Sequence, residues 1–180
     1  MTFWPRLFLL NSIILWLYVL DQIVVVMFLL LRRSAHRYSE RPVDHVIALI
    51  SAMLPLLAVP PSQGNLLPLS MLAVCLLTGI VLHLGAKLSL RRSFGVLPAD
   101  RGVKSRGMYR FVRHPMYLGY ILVQLSLVLA GPLMWNICLF IVSCVFFALR
   151  ISAEERLLGH SPDYQALCRT TRYRLIPGVY

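Results

Sequence analysis

The sequence predicts an all-α integral membrane protein, a single membrane domain over residues 1–180 with about five transmembrane helices. Three observations predict it. Hydrophobic residues make up 58% of the chain and charged residues only 14%, against roughly 45–50% and about 25% in soluble domains. A soluble chain of this size exposes too much surface to hide that apolar excess. Apolar stretches also recur at lengths near the roughly 20 residues that cross a bilayer. Finally, the basic residues collect in alternate connections between those stretches, as they do on the cytoplasmic side of membrane proteins.

The first span is 7–31, interrupted by Asp21 and Gln22. Only Arg6 precedes it, and it outruns the 7–15 residues of a signal-peptide core, so it reads as a retained helix. The second span, 43–59, stops at Pro60-Pro61, and the third is 66–90. The fourth, 115–130, ends at Gly131-Pro132, and the fifth is 133–151. Both of the last two are short, which favours a steep path or locally thinned bilayer. Arg32, Arg33, Arg37 and Arg41 fill the first connection, and Arg91, Arg92, Arg101, Lys104, Arg106, Arg110 and Arg113 the third, whereas Pro60–Asn65 is uncharged. The rule that positive charge stays inside places the N-terminus outside and the C-terminus in the cytoplasm. That arrangement needs an odd number of spans, so charge and span count agree. The net charge of +11 is interleaved with apolar runs, and it reads as juxtamembrane charge facing anionic membrane lipid, not as a nucleic-acid surface.

Beyond Ser152 the chain turns polar. Gly159 suits the C-cap of the fifth helix, and Ser161-Pro162-Asp163 opens a short cytoplasmic C-terminal helix. Tyr164, Leu167 and Cys168 share one stripe of it, which predicts packing. Cys75, Cys138 and Cys144 lie in apolar runs as small hydrophobes. No cysteine or histidine spacing suits zinc, so neither a metal nor a disulfide is expected. Inside the spans, Asp21 is expected to pair with His83 or Lys87 for helix packing. Gln124 is expected to hydrogen-bond a neighbouring helix, and the Gly79-x5-Gly85 stretch suggests close helix approach. Trp4, Trp16 and Trp135 fit an interfacial belt.

The chemistry is expected at the ends of the last two spans. Gly131-Pro132 forces a tight hairpin, and a rise of about 1.5 Å per residue leaves His114 and Glu154 at similar distances from it. The segment Arg106–Tyr117 (RGMYRFVRHPMY) therefore meets Glu154-Glu155 at one membrane face. Carboxylates facing Arg113 and His114 suit a charged small molecule. Solvated glutamates and an Arg113 snorkelling to lipid phosphate would explain the same spacing equally well.

Arg113-His114-Pro115-Met116-Tyr117-Leu118-Gly119 resembles the Arg-His-Pro-x-Tyr-x-Gly signature of the isoprenylcysteine carboxyl methyltransferase (ICMT) family, a relative of the membrane phospholipid N-methyltransferases. Glu154-Glu155, one hairpin later, resembles the signature's second half. Arg92-Ser93-Phe94-Gly95, Gly107-x-Tyr109-Arg110, Pro162-Asp163-Tyr164 and the ending Arg172–Gly178 agree in the flanks, so the resemblance covers roughly the C-terminal half. It implies an S-adenosyl-L-methionine site within about 91–180, facing the cytoplasm. The loop of about Val103–Tyr109, with Gly107 and Met108, would wrap the cofactor. Arg113, His114, Tyr117 and Gly119 would complete the site, and Pro115 would shape the turn. One or both of Glu154 and Glu155 would hold the cofactor's ammonium or ribose end.

Methyl transfer needs an in-line alignment and no covalent protein intermediate. A carboxylate acceptor would need an orienting cation, for which Arg169 or Arg172 is the candidate. A thiol or amine would need a base, from a glutamate such as Glu154 or from His114. The expected partner is a lipophilic or small-molecule methyl acceptor arriving from the membrane between helices. One rival is a nicotinamide-dependent membrane reductase of the sterol-reductase type, though such proteins are longer. The other is a non-catalytic membrane protein recruiting lipid through its basic loops.

Overall fold

The computed structural model describes residues 3–59 and 66–179, and the side chains of residues 3–15 and 18 fall outside that description. Helix α1 covers Phe3–Leu30, and a two-residue strand β1 follows at Arg37–Tyr38. Helix α2, Pro42–Met53, starts on a proline at its first turn and runs on as a 3₁₀ turn, Leu54–Leu57, where Pro55 lacks the N–H a longer α-helix would need. Helix α3 is Leu69–Leu90 and strand β2 is Ala99–Asp100. A 3₁₀ turn at Gly107–Arg110 leads to α4, Pro115–Ala130, then α5, Met134–Leu158, and α6, Pro162–Thr170. The expected uncharged connection Pro60–Asn65 and the Trp4 side chain lie outside the described residues.

Helices α3 and α5 are each long and apolar enough to cross a membrane by length and composition. Large apolar side chains such as Val74, Val81, Ile141 and Val145 point outward from them. Helix α4 is short, as its sequence suggests, but α5 is not. Its apolar stretch ends near Ile151, yet no helix breaker follows before Gly159, so two more polar turns project beyond it. Those turns carry Glu154 and Glu155. Gly159 takes the C-cap as expected, with its N–H donating to the Glu155 carbonyl. Ser161 takes the N-cap of α6 without a side-chain capping bond, and Tyr164 and Leu167 are buried.

Packing is closest between α3 and α4. A Cβ on Gly119 would lie 2.6 Å from the His83 nitrogen and 2.7 Å from the Gly79 carbonyl oxygen, and one on Gly79 would lie 2.9 Å from the Gly119 carbonyl oxygen. Two glycines thus let two backbones touch. Gly85 instead receives the Met108 side chain. Asp21 pairs with both expected partners. Lys87 Nζ donates to its two carboxylate oxygens at 2.7 and 2.8 Å, and His83 Nδ1 lies 3.2 Å away without hydrogen-bonding alignment. The expected bond from Gln124 to a neighbouring helix is absent. Both of its amide atoms are buried without a partner among the described residues, because Gln124 borders a cavity where a helix would have to stand.

One end of the bundle gathers the charged connections. Strands β1 and β2 pair antiparallel, Arg37 opposite Asp100 and Tyr38 opposite Ala99. Arg33 N–H donates to the Arg92 carbonyl and His36 N–H to Asp100. The tail joins them, since Arg113 and His114 N–H donate to the Tyr173 and Arg174 carbonyls at 2.9 and 2.8 Å. Asp44, in the first turn of α2, is buried and accepts from Ser39 and Arg156, tying that helix to the end of α5.

Candidate functional site

The site grows from the two helix ends that this packing brings together. Pro115 opens α4, its missing N–H costing nothing in the first turn, so Arg113 and His114 leave the helix toward the tail while Tyr117 stays inside at 1% exposure. From the facing turn of α5, Glu154 and Glu155 take different roles. Glu154 accepts from the Tyr117 hydroxyl and from Arg150 Nε at 3.3 Å. It lines a cavity bounded also by Leu90, Arg101, Val103, Tyr109, Arg113, His114 and Tyr164. Glu155 lies outside that lining. It accepts from His114 Nε2 and the Tyr164 hydroxyl, each at 3.2 Å, and pairs with Arg113 Nη1 at 3.1 Å and Arg174 Nη2 at 2.6 Å. One carboxylate faces the cavity, and the other ties α4, α6 and the tail to α5.

Burial pushes the Tyr164 hydroxyl above its usual range and the Glu155 carboxylate adds to that effect. Burial does the same to Tyr109, with Glu154 contributing. Both phenols therefore stay protonated and act as hydrogen-bonding walls. Arg101, only 4% exposed, responds in the opposite sense, with burial drawing its guanidinium downward and the Tyr38 hydroxyl partly offsetting that. It sits over the Tyr38 ring, and Nη1 donates to the Leu97 carbonyl. Nε and Nη2 have no acceptor among the described residues. A buried guanidinium with two unused donors at a cavity wall suits a carboxylate.

The sequence-predicted residues divide accordingly. Val103, Tyr109, Arg113, His114, Tyr117 and Glu154 line the cavity. Gly107, Met108, Pro115, Gly119 and Glu155 stand behind it. Gly107 has φ 67°, and a side chain there would strike Ser89, whose hydroxyl accepts from Met108 N–H. Arg169 and Arg172 are exposed and outside the lining. The Arg172 carbonyl accepts from Arg113, and the tail arginine that reaches the glutamates is Arg174. Sequence reasoning missed Arg101, one of many loop cations, and Arg150. The signal for Arg150 was available, since an arginine near the end of an apolar span, one turn before Glu154, should pair inward. At 5% exposure it donates to the Ala48 carbonyl, Ser51, the Val96 carbonyl and Glu154, which joins α2, the loop after α3, and α5.

A second, larger cavity of about 790 Å³ lies among α1 to α5, lined mainly by apolar residues such as Leu29, Leu56, Leu76 and Ile80. Met116 borders both cavities, and the 93–97 segment runs between them, with Ser93, Gly95 and Leu97 lining the charged cleft and Phe94 and Val96 the apolar chamber.

Fold and site define a helical membrane protein with a mixed-charge cleft set against a mainly apolar cavity. Residues 66–160, more than half of the chain, match the isoprenylcysteine carboxyl methyltransferase (ICMT) family model. The chain belongs to this family of membrane methyltransferases, whose members generally use S-adenosylmethionine. No curated protein matches the chain.

Proposed function

We propose that the chain is an S-adenosyl-L-methionine-dependent methyltransferase acting at the cytoplasmic membrane face on a lipophilic acceptor. In that reading it crosses the bilayer about five times with its N-terminus outside. The observation that carries the proposal is the shared wall at Met116, where a mixed-charge cleft abuts a mainly apolar cavity, as a donor site beside a lipophilic acceptor would need. The residues fit the donor. Arg101 offers unused N–H groups to its carboxylate, Glu154 a partly exposed carboxylate to its ammonium, and Leu90, Leu157 and Tyr109 apolar surface to its nucleoside. When bound, the cofactor supplies a methyl group on an electrophilic sulfonium. The cleft holds only about 110 Å³ of open space, below the roughly 300 Å³ of ordinary ligand pockets. Loop 97–104 therefore has to retreat for the donor to enter.

The chain's own part is to bind, align and exclude water. Arg150 takes the orienting role first assigned to Arg169 or Arg172, because it borders the chamber beside Met116. Of its five N–H donors, four are engaged, which leaves one for an acceptor carboxylate. A thiol or amine acceptor would instead pass its proton to His114 or Glu154. Holding both partners in line is worth on the order of 7–11 kcal/mol in model systems.

The test is transfer of a tritiated methyl group from the cofactor to N-acetyl-S-farnesylcysteine by purified protein in nanodiscs, with S-adenosylhomocysteine binding measured beside it. Labelled ester with saturable binding supports the reading. Folded protein that binds no S-adenosylhomocysteine sinks it.

A further inference from the structure

The acceptor chamber has a polar end that a plain hydrocarbon chain would leave unsatisfied. Residues Met116, Tyr120, Val123 and Gln124 line it from one face of α4, at the spacing that puts them on a single stripe. Met116 marks the end next to the donor cleft. Gln124 lies about 12 Å further along the helix, among Leu76, Ile80 and Leu56. It is 7% exposed, and neither Nε2 nor Oε1 has a partner among the described residues. Buried amides are almost always hydrogen-bonded, because desolvating them without a partner is costly. The other charged residues of the chamber lie toward its Met116 end or against α1, and most of their polar atoms face protein groups. Asp21 holds Lys87 and Gln22, His83 stacks on Tyr120, and Arg150 serves Glu154 and α2.

We propose that Gln124 is a specificity-determining residue that recognises a hydrogen-bonding group, a hydroxyl or carboxamide, partway along an otherwise lipophilic acceptor. The acceptor's reactive head lies at Met116, and its polar group lies about 12 Å deeper. This rests on reading the chamber as the acceptor's site. A carboxamide satisfies both amide atoms at once, and a hydroxyl can donate to Oε1 or accept from Nε2. An unsubstituted chain does neither, so the chamber disfavours it.

The test uses palmitic acid and its mid-chain hydroxy derivative as probes. Each competes with tritiated palmitic acid for protein in nanodiscs, and S-adenosylhomocysteine binding is read on the same samples. Wild-type protein should bind the hydroxy acid about tenfold more tightly, the effect of one hydrogen bond made in place of a buried unsatisfied group. In Gln124→Leu that ratio should fall to about one while palmitic acid binds at least as well, and Gln124→Met, close in volume, should behave alike. Neither change removes a bond the fold uses, so both variants should unfold no earlier than wild type. Equal affinities in wild-type protein, a preference that survives both substitutions, or no displacement by either acid would overturn the proposal. If S-adenosylhomocysteine fails to bind while the preference holds, the methyltransferase reading falls and the polar recognition stands.

Discussion

Replacing each glutamate separately should divide a functional effect from a structural one. Glu155 is 12% exposed, pairs with Arg113 and Arg174, and accepts from His114 and Tyr164. In Glu155→Gln the amide keeps the shape but removes the carboxylate charge that Arg113 and Arg174 face. Removing one partner of a buried, hydrogen-bonded pair costs about 3–5 kcal/mol, and the low end applies because Arg174 is 35% exposed. At about 2–4 °C per kcal/mol for a chain of this size, the unfolding midpoint should fall by about 6–12 °C. Glu154 is 23% exposed with fewer partners, and Arg150 keeps three other acceptors without it. Glu154→Gln should cost about 1 kcal/mol of stability. It should nevertheless weaken S-adenosylhomocysteine binding about 10- to 100-fold, since a charge-assisted hydrogen bond is worth about 1.5–3 kcal/mol. Thermal unfolding followed by tryptophan fluorescence and calorimetric titration of the ligand, both in nanodiscs, read the two quantities independently. The reasoning fails if Glu155→Gln melts like wild type yet loses the ligand, or if Glu154→Gln binds it normally.

Two further outcomes follow from the same geometry. Arg101→Met should weaken S-adenosylhomocysteine about tenfold or more by calorimetry and leave 5′-methylthioadenosine, which lacks the amino-acid portion, nearly unchanged; equal losses for both would remove Arg101 from the carboxylate role. Asp21→Asn should cost about 3–5 kcal/mol by stranding the Lys87 ammonium at 1% exposure. Adding Lys87→Met should restore most of the unfolding midpoint, and a double variant no better than the single would refute the pairing account.

Much of the fold follows from patterns that depend only on local chemistry. The limits of α4 are those of its apolar stretch, because Pro115 and Gly131-Pro132 stop the helix by steric and hydrogen-bonding rules that no tertiary contact overrides. The pairing of Asp21 with Lys87 and His83 was legible because a carboxylate inside a span has few ways to be neutralised. The juxtaposition of Arg113 and His114 with the glutamates followed from the tight Gly131-Pro132 hairpin and the rise per residue. Gln124 was misread for the converse reason, since a polar residue in a span announces that it needs a partner without saying whether that partner belongs to the protein.

The division of labour within the charged cluster was not legible, and the cause is helical geometry. Glu154 and Glu155 are neighbours in sequence, but successive residues on a helix point about 100° apart. Chemically identical side chains can therefore face an open cleft and a structural seam, as these two do. Which faces which depends on the rotation of α5 about its axis. Arg150 fixes that rotation through bonds to α2 and to the loop carrying Val96, and the close contact of Gly79 with Gly119 fixes the height of α4 against α3. The tail adds Arg174 to Glu155 only because the Arg113 and His114 N–H groups hold its backbone in register. A shift of two residues in that pairing would have brought Arg172 to the same place, so the choice among tail arginines rests on backbone hydrogen bonds and not on arginine chemistry.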